Sequence, residues 1–188
     1  MAHAFDPTRR AQIAIAPASL HVVHAALQRA LGAGAAPALQ EAGYVTGQAH
    51  AEGLRAWLAA RGEGPLDGLA LETFAERLAG YFAELGWGEL LLRTSGRVSV
   101  VETRSWAEWQ ARGDGEPPAC HFTTGMLAGL FGALAEHPLA VLEVEAGDGT
   151  PGSCRFLVGS ERVLNEVFDR LQQGDDVEAA LRALSIPG

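Results

Sequence analysis

The stretch CHFTTGMLAGLFGALAEHPLAVLEVEAGDGTPGSCRF, residues 120–156, contains both cysteines of the chain, one at its start and one near its end. Its first half is an apolar run that predicts a helix ending before Pro138. Its second half predicts a β-hairpin, with strands at 139–146 and 154–158 joined by the turn GDGTPG. The stretch therefore combines a helix, a hairpin and two thiols.

The regions on either side of this stretch add further helices and a second hairpin. Apolar residues recur at helical spacing in three earlier segments, which begin at Pro17, Pro37 and Leu69. The segment GELLLRTSGRVSVVET predicts two strands that turn at Ser95-Gly96. The segment ARGDGEPP, 111–118, predicts a loop and is the best candidate for a mobile flap, and two short amphipathic helices are expected to end the chain.

The order of these elements predicts the fold class. Hairpin-linked strands form an antiparallel sheet, so we expect an α+β domain with the sheet built from two hairpins and packed against helices on one side. Neither half of the chain carries a complete sheet of its own, and 188 residues suit one domain. We therefore expect a single domain spanning 1–188, with a core at about 18–160 and C-terminal helices at 161–188.

Glycines in two of the predicted helices indicate close helix contact. Gly125, Gly129 and Gly132 lie within two turns of the apolar helix, and each costs about 1 kcal/mol relative to alanine in a helix interior. Gly43 and Gly47 form a similar strip on the second predicted helix. Either a neighbouring backbone approaches these glycines, or they leave room for a ligand. Close packing is the favoured interpretation.

Composition and charge exclude several classes of protein. The formal net charge of −9 and the lack of a dense basic cluster disfavour binding to nucleic acid or to anionic lipid. The longest apolar run, 125–135, is shorter than the ~20 residues that cross a bilayer, and the N-terminus does not resemble a signal peptide. The sequence therefore predicts a cytoplasmic protein without membrane insertion, in which the two thiols stay free or bind metal.

Several motifs together resemble the 4-vinyl-reductase domain family. They are the cysteine-led apolar helix CHFTTGMLAGLFGAL, the strand VLEVEA, the turn GDGTPGS and the closing CRF, preceded by the helix LQEAGYVTGQAHAEGL at 39–54. The resemblance covers about 18–160. It implies a fold shared with haem-nitric-oxide sensor domains and with vesicle-tethering transport-particle subunits, usually as a homodimer. Members include sensor halves of bacterial activators of aromatic catabolism, stand-alone hydrocarbon-binding proteins and an accessory protein of bacteriochlorophyll synthesis.

The resemblance also implies a zinc site, which this sequence matches in three of four positions. The aromatic sensors hold zinc at the positions that correspond here to Cys120, Glu143, Ala146 and Cys154, so the third thiolate is absent. Zinc in structural sites is usually bound by four ligands, mostly sulfur or nitrogen. Two further interpretations stay open: the cysteines are inert buried thiols, or they form a disulfide or a reactive thiol.

If zinc binds, its open fourth position must be filled by another group. The candidates in the sequence are Glu145, Asp148 and His121, or a water molecule. Glu145 is attractive because side chains alternate along a strand, which places it on the same face as Glu143.

By analogy with the aromatic sensors, a ligand would lie between the sheet and the helices, close to the zinc site. The residues that the analogy assigns to its lining are Val98, Val100, Phe122, Leu130 and Val141. Phenol-sensing members hold the phenol hydroxyl with histidine and tryptophan, and the hairpin at 90–103 contains neither. A plain aliphatic lining suits a hydrocarbon, fatty, aromatic or tetrapyrrole-like ligand better than a phenol.

Several histidines and tryptophans are expected to have structural roles and not to form a functional site. His21 and His24 are three residues apart, but no nearby carboxylate or cysteine completes a metal site, so a half-exposed helix face is expected. His50 is expected to be packed or solvated rather than to line a cavity. Trp106 and Trp109 could cover a pocket mouth or a partner surface, and sealing the edge of the core is the favoured interpretation.

Signatures of catalysis are absent from the sequence. It contains no phosphate loop, no dinucleotide-binding glycine pattern, no G-x-S-x-G and no H-E-x-x-H. We therefore assign no catalytic residue, and a stand-alone module that binds or senses a small apolar molecule is the favoured function, with output through a separate protein. Two alternatives stay open: an enzyme or accessory protein of tetrapyrrole vinyl reduction, and a homodimeric scaffold like the tethering subunits.

Overall fold

A computed structural model describes residues 15–66, 68–111, 120–144 and 152–184. The described helices are α1 (Pro17–Leu31), α2 (Ala35–Ala59), α3 (Leu71–Glu84), α4 (Ala107–Ala111), α5 (His121–Ala135), α6 (Glu161–Gln172) and α7 (Val177–Leu184). The strands are β1 (Glu89–Ser95), β2 (Val98–Arg104), β3 (Ala140–Val144) and β4 (Cys154–Gly159). This arrangement confirms the predicted α+β class. No helix in the described ranges combines the length and the hydropathy needed to span a bilayer.

The four strands form one antiparallel sheet in the order β1-β2-β4-β3. Each predicted hairpin is present, and the two hairpins join through β2 and β4, where Val101 is opposite Phe156. Gly96 adopts a positive φ of 57° in the first hairpin turn, a conformation that glycine reaches without strain. The second hairpin turn and most of the loop predicted at 111–118 lie outside the described residues.

Helices cover both faces of the sheet, which corrects the expectation that they pack on one side. On one face, Val101 and Phe156 pack in the core formed with α2, α3 and α5. On the other face, Val98 and Val100 pack with residues of α6 and α7. Strand β2 carries apolar side chains on both faces. Each face must therefore be buried against helices to remove these side chains from water.

The glycines of α2 and α5 bring these two helices into direct backbone contact. A Cβ atom on Gly43 would collide with the carbonyl oxygen of Phe122, and one on Gly47 would collide with that of Met126. From the other side, Cβ atoms on Gly125 and Gly129 would collide with carbonyl oxygens of α2. The close packing favoured from the sequence is therefore confirmed for these four glycines.

Gly132 does not belong to this contact. A Cβ atom there would lie 3.4 Å from the carbonyl oxygen of His137, outside α2.

Candidate functional site

The structure brings Cys120, Glu143 and Cys154 together at the start of α5. The two sulfur atoms are 3.0 Å apart, and the backbone N–H of Cys120 donates a hydrogen bond of 2.9 Å to Oε2 of Glu143. One ligand atom from each of the three residues lies within 4.8 Å of the other two. Both thiols are buried and free. This cluster is the candidate metal site of the described chain.

Strand register explains how two of these residues meet. Glu143 on β3 is directly opposite Phe156 on β4. Cys154 lies two residues before Phe156, so it occupies the same face of the sheet and is a diagonal neighbour of Glu143. Helix α5 packs against β3 and β4, and its first turn places Cys120 over both side chains.

The environment of Cys120 favours the neutral thiol. Its hydrogen bond with Cys154 raises the pKa of the Cys120 thiol well above the ordinary range, and burial and the charge of Glu143 raise it further. A thiolate is the reactive and metal-binding form of cysteine. The described residues near this thiol include no cation that would stabilise a thiolate, so the geometry does not support nucleophilic catalysis by Cys120.

A zinc ion fits this cluster in donor type, with an adjustment of the sulfur atoms. Two Zn–S bonds of about 2.3 Å at a tetrahedral angle place the sulfurs about 3.8 Å apart, so Cys120 and Cys154 must separate by about 0.8 Å. A carboxylate oxygen of Glu143 is the third donor of the group. Among the described residues, no histidine, His121 included, joins the group. Glu145, Ala146 and Asp148 lie outside the described residues.

Glu108 is a residue of this site that the sequence did not reveal. It lies on the short helix α4, fully buried, and its two oxygens accept hydrogen bonds of 2.8 and 2.6 Å from the backbone N–H groups of Phe122 and Thr123. These groups lack partners within α5 because they belong to its first turn. Glu108 and Glu143 thus cap the same helix start, where the helix dipole favours negative charge.

One carboxylate lies near His24, although no metal-binding group forms around this histidine among the described residues. Its Nε2 lies 3.6 Å from Oε1 of Glu108, because α1 packs against α4. Burial lowers the pKa of His24, and the nearby His121 and His21 lower it further. Burial also raises the pKa of Glu108 to about 7, against the opposing effect of its hydrogen bonds from Thr123 and Phe122.

The raised pKa of Glu108 predicts a pH-dependent stability. The folded protein holds a proton at this carboxyl more tightly than the unfolded chain, in which the pKa is near 4.5. Protonated Glu108 therefore makes its full contribution to the unfolding free energy below pH 4.5. This contribution, about 3 kcal/mol in total, is lost as the pH rises through about 7. Glu108→Gln cannot ionise, so its unfolding free energy should lack this decline.

Urea unfolding at several pH values between about 5 and 8 measures the effect. Glu161→Gln, at an exposed position on α6, is the matched control and should keep the decline of the wild-type protein. Parallel curves for wild type and Glu108→Gln would contradict the prediction.

The five residues assigned to a ligand lining do not share one surface. Phe122, Leu130 and Val141 pack in the core between the sheet and helices α2, α3 and α5. Val98 and Val100 point to the opposite face of the sheet and pack under α6 and α7. The side-chain alternation of β2 therefore separates them from the other three.

A groove that is open to solvent lies on the same side of the sheet as Phe122, Leu130 and Val141. It has a volume of about 340 Å³ and lies between α2, α5 and β3. It is lined by Gln40, Glu41, Tyr44, Thr124, Gly125, Ala128 and Val141. Val141 is thus the predicted lining residue that reaches this groove.

His50 and Trp106 are part of the core. His50 is packed, as expected: its Nδ1 lies 3.0 Å from the Tyr81 hydroxyl, and burial lowers its pKa to about 4. Trp106 is fully buried and donates its indole N–H to Thr123, at 2.8 Å. It therefore lies inside the core and not at its edge, which corrects the sequence interpretation for this tryptophan.

Comparison with known proteins identifies a solved structure of the same fold. No model of a known protein family and no curated protein matches the chain, so the resemblance to the 4-vinyl-reductase domain family stays a prediction. Among solved structures, the chain is similar to the phenol-responsive sensory domain of the transcription activator PoxR, crystallised with phenol. The match covers 95% of this chain and 86% of that chain, with 20% sequence identity and a TM-score of 0.63. The chain therefore shares the fold of a sensory domain.

Proposed function

We propose that this protein is a small-molecule binding module of the sensor type, which holds an apolar ligand between its sheet and its helices. The observation that carries the proposal is the groove between α2, α5 and β3, in a fold that a phenol-responsive sensory domain also adopts. Its volume of about 340 Å³ falls in the range of small-molecule sites. Ala128 and Val141 supply an apolar floor.

Ligand uptake by the purified protein tests this proposal. Native mass spectrometry with small aromatic and fatty probes should show saturable binding, and Val141→Trp should reduce it at least tenfold because the indole fills the groove. Leu91→Trp is the matched control, since Leu91 is 57% exposed on β1 and does not line the groove. A wild-type protein that takes up no probe would refute the proposed function.

We also propose that Cys120, Glu143 and Cys154 bind zinc. Two observations support this proposal. Thiolates and carboxylates are ligands that zinc accepts, and one ligand atom of each residue lies within 4.8 Å of the other two. When bound, the ion would supply positive charge that favours both thiolates, and the three side chains would tie α5, β3 and β4 together.

The zinc proposal predicts the metal content of protein purified without chelators. Mass spectrometry of the metal should find about one zinc per chain in the wild type and almost none in Cys154→Ser or Glu143→Gln. Glu89→Gln, at an exposed position of β1, should retain the metal. Circular dichroism separates metal loss from unfolding of the variants. Zinc-free wild-type protein that also fails to take up added zinc would exclude the site.

A homodimer is the assembly we propose, with a separate protein receiving any signal. Helix α1 contains no buried residue, and several large apolar side chains of α1 and α2 are exposed. They are Val22, Val23, Leu31 and Val45. Exposed large apolar side chains occur at protein interfaces, and we propose that those of α1 and α2 contribute to the dimer contact. Light scattering should give twice the 19.7 kDa of one chain, and Val45→Lys should lower that mass. A monomer at all concentrations would refute the dimer.

A further inference from the structure

We propose that the groove between α2, α5 and β3 selects amphipathic cations, small molecules with an ammonium group on an apolar body. This inference rests on the proposed function and names the chemical class of its ligand. The groove joins an apolar floor to a rim that carries one carboxylate, from Glu41.

Among the polar groups of the rim, the Glu41 carboxylate can only accept hydrogen bonds. Glu41 contributes a carboxylate that forms no ion pair with any other described residue, and Gln40 and Tyr44 add an amide and a hydroxyl. Thr124 already donates its hydroxyl hydrogen to the carbonyl oxygen of Cys120, at 2.9 Å. Thr124 can therefore only accept a hydrogen bond from a ligand, as can Glu41, whereas Gln40 and Tyr44 can donate or accept. The charge of Glu41 favours a ligand whose donor is positively charged.

An anionic ligand would find three backbone donors at the helix end beside the groove already occupied. The first turn of α5 would ordinarily attract an anion through its backbone N–H groups. Here Glu143 binds the N–H of Cys120, and Glu108 binds those of Phe122 and Thr123. The carboxyl groups of Glu143 and Glu108 already occupy the position at which an anion would bind, and the negative charge of Glu143 would repel a further anion.

The charge of the whole chain acts in the same direction. Its formal net charge is −9 at pH 7, which raises the local concentration of cations around the protein. The groove volume of about 340 Å³ equals roughly eleven water molecules of the liquid, which is enough for an aromatic ring with a short aminoalkyl chain.

Three probes of matched shape test the inference: phenethylamine, 2-phenylethanol and phenylacetate, titrated by calorimetry. We expect the amine to bind about fivefold more tightly than the alcohol, and the acid to bind most weakly. Glu41→Gln should lower the affinity for the amine to that for the alcohol, and the affinity for the alcohol should not change. Glu161→Gln removes the same charge from exposed α6 and should preserve the preference. At about 0.5 M salt the preference should shrink.

The outcomes separate this inference from the proposed function. If alcohol and amine bind equally well to the wild type, or if Glu41→Gln keeps the preference for the amine, the selection for cations is refuted while ligand binding stands. If all three probes fail to bind the wild type, the groove does not bind such ligands, and the proposed function fails with the inference.

Discussion

Gly47→Ala should destabilise the protein by about 3 kcal/mol, the cost of overpacking a contact that cannot relax locally. The new Cβ atom would collide with the carbonyl oxygen of Met126 and would lie 2.6 Å from the backbone nitrogen of Leu130. Both are backbone atoms of α5, so the helices must move apart along their whole contact. Chemical unfolding monitored by circular dichroism measures the loss.

Gly80→Ala is the matched control for this prediction. Gly80 lies within α3, and a Cβ atom there would meet only the Trp57 side chain, at 3.5 Å. Because alanine is the better helix former, this variant should be as stable as the wild type or more stable by about 0.5–1 kcal/mol. Equal effects of the two substitutions would show that the helices do not meet at Gly47.

Trp106→Ala should cost about 3–5 kcal/mol, the range for removing a fully buried tryptophan. The indole packs against the rings of Phe82 and Trp87, with ring centroids 5.7 and 5.5 Å away. Its N–H also donates to the Thr123 hydroxyl beside the start of α5. The substitution therefore removes both apolar contacts and a hydrogen bond.

Two further variants separate these contributions. Trp106→Phe keeps an aromatic ring and loses the hydrogen bond, so its cost should be smaller than that of Trp106→Ala. Leu91→Ala, at an exposed strand position, should change the unfolding free energy by less than about 0.5 kcal/mol. Chemical unfolding measures all three. A loss for Trp106→Ala as small as that for Leu91→Ala would contradict the buried position of the indole.

The order of helices and strands, and hence the α+β class, followed from local patterns. Alternation and helical spacing are properties of neighbouring residues, so they can be recognised without coordinates. The contact between α2 and α5 was also visible, because glycines such as Gly43 and Gly129 are costly in a helix unless something approaches them. The sequence analysis missed that helices cover both faces of the sheet. The sign was present in β2, where Val98 and Val100 point to one face and Val101 points to the other.

The sequence by itself determined the elements other than α4 and the close helix pair, because each leaves a mark in local composition. It named the candidate donors Cys120, Glu143 and Cys154 through the resemblance to a family. Only the tertiary structure decided that Glu108 caps α5 and that Val98 lies away from Val141. A carboxylate in a short segment looks the same in sequence whether it faces solvent or a helix end. Its partner is chosen by long-range packing, which brings α4 against the first turn of α5 and makes the Glu108 carboxylate part of the site.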